Sequence, residues 1–362
     1  MTAMSTDTMR RDYGLTGRDG QLAVEKGLAG AEWYRSPIPR RRLKELMQRR
    51  DGPAIRDTLI WFAALGLTGG VAAHFWGSWW AMPFFFAYGV LYGSASDSRW
   101  HECGHGTAFR TRWLNDAVYQ LACFMVLREP TVWRWSHTRH HTDTLIVGRD
   151  PEIAAQRPPD IVGLLLNLMA IKSGLIALGK VLLHTTGRLT ADEATFIPES
   201  ERGKVYLVAR IWVLVYAAVI ASCFYWGTLL PAMLVGLPSF YGGWLLLVFG
   251  LTQHAGLAED VVDHRLNCRT VYMNPVFRFL YWNMNYHVEH HMFPMVPYHA
   301  LPALHADMKA DTPPPYDGLW AAYREIIPAL LRQAKEPTWF VERKLPAGSK
   351  PLASPAAVAA AQ

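Results

Sequence analysis

Cysteine is scarce and charge is thin in this chain. Four cysteines among 362 residues, Cys103, Cys123, Cys223 and Cys268, form no CxxC pair. That spacing excludes a disulfide scaffold and a zinc ribbon, and fits free thiols in a reducing compartment. Charged residues make up 18% of the chain against 51% hydrophobic, a balance too apolar for a wholly water-soluble protein. Residues 1–30 lack an apolar h-region, so no cleavable signal peptide is expected and insertion into a membrane falls to internal segments. The net charge of +6 is not spread as a nucleic-acid footprint. It is concentrated in Arg40, Arg41, Arg42, Lys44, Arg49, Arg50 and Arg56, immediately before the first hydrophobic run. The positive-inside rule puts such a cluster on the cytoplasmic side, and no nucleic-acid partner is expected.

What is abundant is apolar sequence in long runs. Residues 58–76 and 79–96 form one pair, separated by Gly77 and Ser78 and flanked by Trp76, Trp79 and Trp80. Residues 205–225 and 229–251 form a second, with Gly227 and Pro231 at its turn. Each run approaches the roughly 20 residues that a spanning helix needs. The expected fold is therefore an all-α integral membrane protein of two transmembrane hairpins with a cytoplasmic helical cap. Residues 1–57 form a basic N-terminal segment, 58–344 the membrane domain with its cap, and 345–362 an Ala- and Pro-rich disordered tail. Between the hairpins, residues 117–127 are too short to span. Residues 161–183 are interrupted by Lys172 and Lys180, and both stretches are expected as interfacial or cap helices.

Fourteen histidines are present, eight of them in three short clusters. His101 and His105 stand at i and i+4, so both rings share a helix face and reach one metal ion. His137, His140 and His141 repeat the spacing i, i+3, i+4, and His287, His290 and His291 repeat it again. The two hairpins bring all three clusters to the face that carries the basic segment. Eight imidazoles exceed what one catalytic zinc uses, since such a site takes three protein ligands and keeps a position open. Two metals are the economical answer, although imidazole suits Zn, Cu, Fe and Ni alike. His254 closes the fourth apolar run on the same face and is a candidate ninth ligand. The alternative for His254 is an interfacial ring bonded to a backbone carbonyl. His264, between Asp263 and Arg265, is expected to be solvated, and His74 and His184 to be ordinary satisfied histidines. Trp100, Trp133, Trp135 and Trp282 flank the clusters, as substrate-entry aromatics or as plain core and interface residues.

Two rival readings use the same residues. His101-Glu102-Cys103-Gly104-His105 also fits the HExxH pattern of zinc proteases, with Glu102 as general base. That leaves six histidines without a role, and no apolar run carries an Asp suited to be a third ligand. A metal transporter or sensor would need ionisable groups inside the spans, whereas here they lie at the edges.

The clusters resemble the histidine boxes of the membrane fatty-acid desaturase and hydroxylase superfamily, over roughly residues 61–308. The segment ending Gly148-Arg149-Asp150-Pro151-Glu152 is similar to the stretch after the second box in that family, and Asn285-Tyr286-His287-Val288-Glu289-His290-His291-Met292-Phe293-Pro294 to its third box. The second and third boxes are also similar to the bacterial branch with the rhizopine-catabolism oxygenase. The resemblance implies two irons, O2 as co-substrate, a ferredoxin-like or cytochrome electron donor with its reductase, and a fatty-acyl or other lipid-like substrate. It implies an oxidoreductase that desaturates or hydroxylates C–H bonds, or decarboxylates fatty acids to terminal alkenes, in a membrane such as the bacterial inner membrane. The first box has Glu102 where many desaturases have Asp, and Glu102 is expected to orient a ligand ring from behind rather than to act as a base.

An even number of spans after a basic flank places both termini in the cytoplasm. Reporter fusions at Gly77 and Gly227 are accordingly expected on the opposite side of the membrane. A cytoplasmic signal from either position would break the two-hairpin arrangement.

Overall fold

The computed structural model describes residues 11–349, and the part of the tail from residue 350 onward lies outside them. The described residues are helical throughout, with isolated bridges at Thr270–Tyr286 and Val271–Tyr316 in place of strands.

The first apolar pair is helical on both sides of Gly77, over Asp51–His74 and from Ala81 to Gly104. The helix Asp51–His74 starts where Arg50 leaves extended backbone, and Asp51 sets a carboxylate at the positive end of the helix dipole. The same carboxylate accepts the N–H and O–H of Thr111 at 3.0 and 2.8 Å, which ties this helix to the loop after the first box. Trp61, Leu65, Gly69 and Ala72 are buried along one face, while Leu59 and Leu67 on the other are 61% and 68% exposed. Gly77, at φ +87, turns the chain. The return arm is one rod in three parts: Ala81–Gly89, a π-helical turn Val90–Ser94, and Ala95–Gly104. Single π turns of this kind re-aim the next stretch of helix, and here that stretch carries His101.

The second pair departs from expectation. Glu199–Trp226 is a continuous 28-residue helix containing an 18-residue stretch of mean hydropathy 2.1, and among the described residues it alone is long and apolar enough to cross a membrane as a single straight helix. Gly227 caps it at φ +60. The run 229–251, expected as one span, is broken into Leu230–Leu234, Pro238–Tyr241 and Trp244–His254. Pro238 opens the middle piece, Gly236 takes φ +96 before it, and Gly242 with Gly243 comes after. The break is also where two backbones touch. A side chain on Gly242 would lie 1.9 Å from the carbonyl oxygen of Gly89, and one on Gly93 2.5 Å from that of Pro238. Ser94 seals the crossing, donating to the Gly242 carbonyl and accepting Leu246 N–H at 2.9 Å. A continuous helix could not approach the π turn this closely. The apolar stretch between the pairs is likewise bent, Ile161–Met169 against Ile171–Thr185 at 77°, with Ala170 left-handed at the corner.

The cap gathers around the hairpin ends. Arg112–Met125 buries Val118, Tyr119, Ala122 and Cys123 against the first-box helix. The N-terminal segment runs across the cap, with Arg11 paired to Glu259 at 2.7 Å and Tyr34 N–H donating to Val262 O at 3.0 Å.

The glycine crossing gives a direct test. Gly242→Val has no room against backbone, so it is expected to destabilise the protein at the upper end of overpacking losses, about 3 kcal/mol. Gly179→Ala, in open space within a helix, is the control. Thermal unfolding in detergent separates the two, and equal melting temperatures would remove the crossing from the account.

Candidate metal centre

Each histidine cluster is held by a different device. His101 and His105 end the rod that the π turn has re-aimed, and Gly106 at φ +67 turns the chain away immediately afterwards. The second-box helix, Pro130–Thr142, begins with Pro130 in its first turn and the Glu129 carboxylate accepting Val132 N–H at 2.6 Å, a capped start. The third-box helix, His287–Met292, is six residues long and wholly buried. Too short to stand alone, it is set by the residues before it. Trp282 and Asn283 take left-handed backbone, and the buried Arg99 guanidinium donates to the carbonyls of Ala95 and Leu280 at 2.8 and 2.9 Å. Arg99 also lies over the rings of Trp61, Phe279 and Trp282. It thereby clamps the third-box segment to the helix of the first box.

These devices bring the nine histidines named from the sequence into two adjoining groups. His101, His105, His137, His141 and His290 form one, and His140, His254, His287 and His291 the other. The spacing i, i+3, i+4 is what divides them. Adjacent helical residues point about 100° apart, so His141 and His140 face different groups, as do His290 and His291. His137 and His287, one turn before His141 and His291, join those rings rather than their neighbours. Each HxxHH box therefore serves both groups instead of filling one.

Within each group the Nε2 atoms face one another. His137 lies 3.1 Å from His105 and from His141, and His141 lies 3.1 Å from His290. In the second group His287 is 2.9 Å from His254 and 3.0 Å from His291. His141 and His291 stack at 4.4 Å between centroids, joining the groups.

The outer nitrogens of His254, His140 and His137 have partners that orient their rings, whereas the Nδ1 atoms of His101, His141, His287 and His290 have no hydrogen-bond partner. The Nδ1 of His254 donates to Asn267 O at 2.8 Å, a group that can only accept, so its Nε2 is left unprotonated. His140 faces Asp150 through Nδ1 at 2.9 Å, and His137 faces Glu152 at 2.9 Å. Carboxylates behind ligand imidazoles fix the tautomer and raise ring basicity. Burial, reinforced by the neighbouring rings, holds His101, His137, His141, His287, His290 and His291 well below the usual imidazole range, and takes His105 down to about 4 and His254 to about 3. His140 is the exception. Burial lowers it, but the Asp150 charge and hydrogen bond prevail and raise it. At neutral pH the cluster is otherwise a set of uncharged donors, the form a metal takes.

His254 makes the backbone-carbonyl bond of one reading, and its Nε2 also stands 2.9 Å from that of His287 in the four-histidine group. His264 corrects the sequence expectation. It is 2% exposed rather than solvated, sits 5.0 Å from the His291 ring, and groups with Cys268 and His291. A local Asp-His-Arg context conveyed polarity, but the N-terminal segment covers it. His184 is buried, with Nε2 bonded to Glu193 at 3.0 Å and Nδ1 without a hydrogen-bond partner.

Glu102 is fully buried and accepts Thr107 O–H and Tyr298 N–H through Oε2, at 3.1 and 3.0 Å. Its Oε1 lies 3.7 Å from His290 Nδ1. Burial pushes it up to about 8. Trp100 and Trp133 pack edge-on to one another, and Trp100 lies 5.2 Å from His137. Asp150 and Glu152 stood in the segment after the second box, yet nothing in their spacing showed which rings they would meet. Asn267 acts through its backbone carbonyl and carries no sequence signal.

Residues 77–323 match the family described as fatty acid desaturase. The chain belongs to that family. It is 26% identical over 74% of its length to the acyl-lipid omega-3 desaturase (cytochrome b5) of the Arabidopsis thaliana endoplasmic reticulum, covering 70% of that protein. It is 28% identical over 68% of its length to a probable fatty acid desaturase of Sorghum bicolor, covering 67% of it, and 27% identical over 63% to a fatty acid conjugase of Calendula officinalis, covering 69%. All three histidine boxes and His254 lie inside the matched desaturase region.

The two groups can be separated experimentally. His254→Ala is expected to remove metal from the four-histidine group and leave the other loaded, so purified protein retains about half the wild-type metal per chain. Asp150→Asn, keeping shape but losing charge, is expected to weaken binding by about 10–100-fold. Exposed His74→Ala is the control. Wild-type metal content in His254→Ala would remove that residue from the ligand set.

Proposed function

We propose that this desaturase-family chain is an O2-dependent di-iron oxidoreductase of membranes, acting on the C–H bonds of a fatty-acyl or other lipid-like substrate. The observation that carries the reading is the pair of adjoining imidazole groups, five and four, with facing Nε2 atoms 2.9–3.1 Å apart. For metal–nitrogen bonds of about 2.1 Å, right-angled neighbours lie about 3.0 Å apart and tetrahedral ones about 3.4 Å. Five and four imidazoles exceed the three protein ligands of a catalytic zinc site, and iron is the metal that the desaturase resemblance implies.

His101, His105, His137, His141 and His290 would hold one iron, and His140, His254, His287 and His291 the other. When bound, such a pair supplies O2 activation, in which O2 takes up four electrons to give two waters, two from the substrate C–H bonds in desaturation and two from an external donor. Burial would keep the ligand rings other than His140 neutral, and Asp150, Glu152 and the Asn267 carbonyl would orient His140, His137 and His254. Removal of two hydrogens gives an alkene and replacement of one by hydroxyl gives an alcohol; terminal decarboxylation is a further outcome on the same site. The similarity to an omega-3 desaturase and a conjugase favours desaturation of an acyl chain. The cytochrome b5 in the first relative's name, and the ferredoxins of the wider superfamily, make a one-electron carrier protein with its reductase the expected partner. Helices with exposed apolar faces, Glu199–Trp226 foremost, support a membrane location such as a bacterial inner membrane, and the basic flank supports cytoplasmic termini.

The zinc-protease reading loses ground at Glu102. A general base must reach a water at the open metal position, whereas both oxygens of Glu102 lie in buried protein and one is engaged by Tyr298 and Thr107.

Expression with a ferredoxin and its reductase, followed by lipid and hydrocarbon profiling against His140→Ala, is expected to show a new double bond, with about two irons per purified chain. One zinc per chain and no oxidised lipid would overturn the assignment. Glu102→Gln is expected to lose part of both metal and activity, about 10–100-fold; full metal with no oxidation would restore Glu102 as a base.

A further inference from the structure

An aromatic path leads from the protein surface to the four-histidine group. Trp33 is half-buried, and its ring stacks on His264 at 4.3 Å between centroids and 9° between planes. His264, in turn, lies 5.0 Å from His291, whose Nε2 faces His287. The two rings nearest the metal group are 2% and 3% exposed. Only Trp33 meets solvent along this line.

The stack is held in place from several sides. Trp33 Nε1–H donates to Thr142 O at 3.1 Å, at the end of the second-box helix. The ring packs against the cluster of Ala23, Leu28, Ile146 and Val262. Beside it Tyr34 O–H and Ser36 O–H both donate to Asp311, at 2.9 and 2.5 Å. A tryptophan fixed this firmly against a buried histidine is more ordered than a surface aromatic needs to be.

The exposed charge that follows Trp33 along the N-terminal segment is mostly positive. Arg35 is exposed two residues along, and the exposed Arg40, Arg41, Lys44, Arg49 and Arg50 come after it, against exposed Glu32 and Glu45. Positive surface of this kind steers an acidic partner.

We propose that the Trp33–His264 stack is the electron entry route of this protein, and that an acidic one-electron carrier docks over Trp33 beside Arg35 and the basic segment. The proposal rests on the di-iron reading above. One electron leaves the carrier's reduced centre per encounter and arrives at the metal group through His291, so two encounters supply the two external electrons that each O2 requires. Trp33 and His264 are neither oxidised nor reduced. They serve as a coupled bridge that replaces a gap of solvent or aliphatic packing with touching π systems.

The test uses the iron-loaded full chain in detergent, reduced anaerobically in a stopped-flow instrument and followed by loss of ferric near-ultraviolet absorption. The protein donor is a reduced plant-type ferredoxin, which is acidic; the small donor is methyl viologen radical, which needs no docking site. Trp33→Ala is expected to keep its iron and its rate with methyl viologen, and to slow reduction by ferredoxin by an order of magnitude or more. Trp33→Phe, which keeps an aromatic face, is expected to restore most of that rate. Arg35→Glu is expected to lower the second-order rate with ferredoxin and weaken its dependence on salt. An unchanged ferredoxin rate in Trp33→Ala, equal slowing with both donors, or loss of iron would overturn the route, the last two by showing that Trp33 only supports His291. If the wild-type protein shows no ferric signal for methyl viologen to bleach, the di-iron reading fails instead.

Discussion

Imidazole nitrogens that face one another across about 3 Å, inside protein, are the constraint on which the rest of this structure depends. Each Nε2 carries a lone pair, and lone pairs facing without a proton or cation between them repel in a medium that does not screen them. Burial keeps the rings from solving the problem by taking up protons, since a charged imidazolium there would be costly to desolvate. Each of the two groups has the donors to hold a metal ion. Asp150, Glu152 and the Asn267 carbonyl tie the outer nitrogens of His140, His137 and His254.

The scaffold serves that convergence. Rings from the three boxes and the end of a broken apolar run can meet only if four helix ends are aimed within an ångström or so. The π turn at Val90–Ser94 aims the first, a capped start fixes the second, Arg99 clamps the third, and the glycine crossing at Gly89, Gly93 and Gly242 delivers the fourth. Each is a departure from plain α-helix or ordinary packing, and such departures gather where a fold must hold groups at fixed distances.

The N-terminal segment belongs to the same arrangement. In sequence it is a basic flank before a hydrophobic run. In space it lies over the cap, covers His264 with Trp33, and pairs with Glu259 and Asp311. A single stretch thus carries both the basic run and the aromatic ring that covers His264 beside the four-histidine group.

The sequence by itself determined the helical class, the hairpin turns at Gly77 and Gly227, and the identity of the nine clustering histidines, because these rest on local properties: hydrophobic run length, a left-handed glycine, and residue type at helical spacing. Tertiary structure alone decided how the nine divide, since His140 and His141 are neighbours in sequence but 100° apart on a helix, and which group each joins depends on where the other boxes sit. It alone broke the fourth apolar run, where Pro238 and the paired glycines answer to the backbone of Gly89 rather than to their own neighbours in sequence. It alone buried His264, whose polar context said nothing of a tryptophan 231 residues earlier. Spacing within a segment reports which side chains share a face; what meets that face is set by packing between segments far apart in the chain.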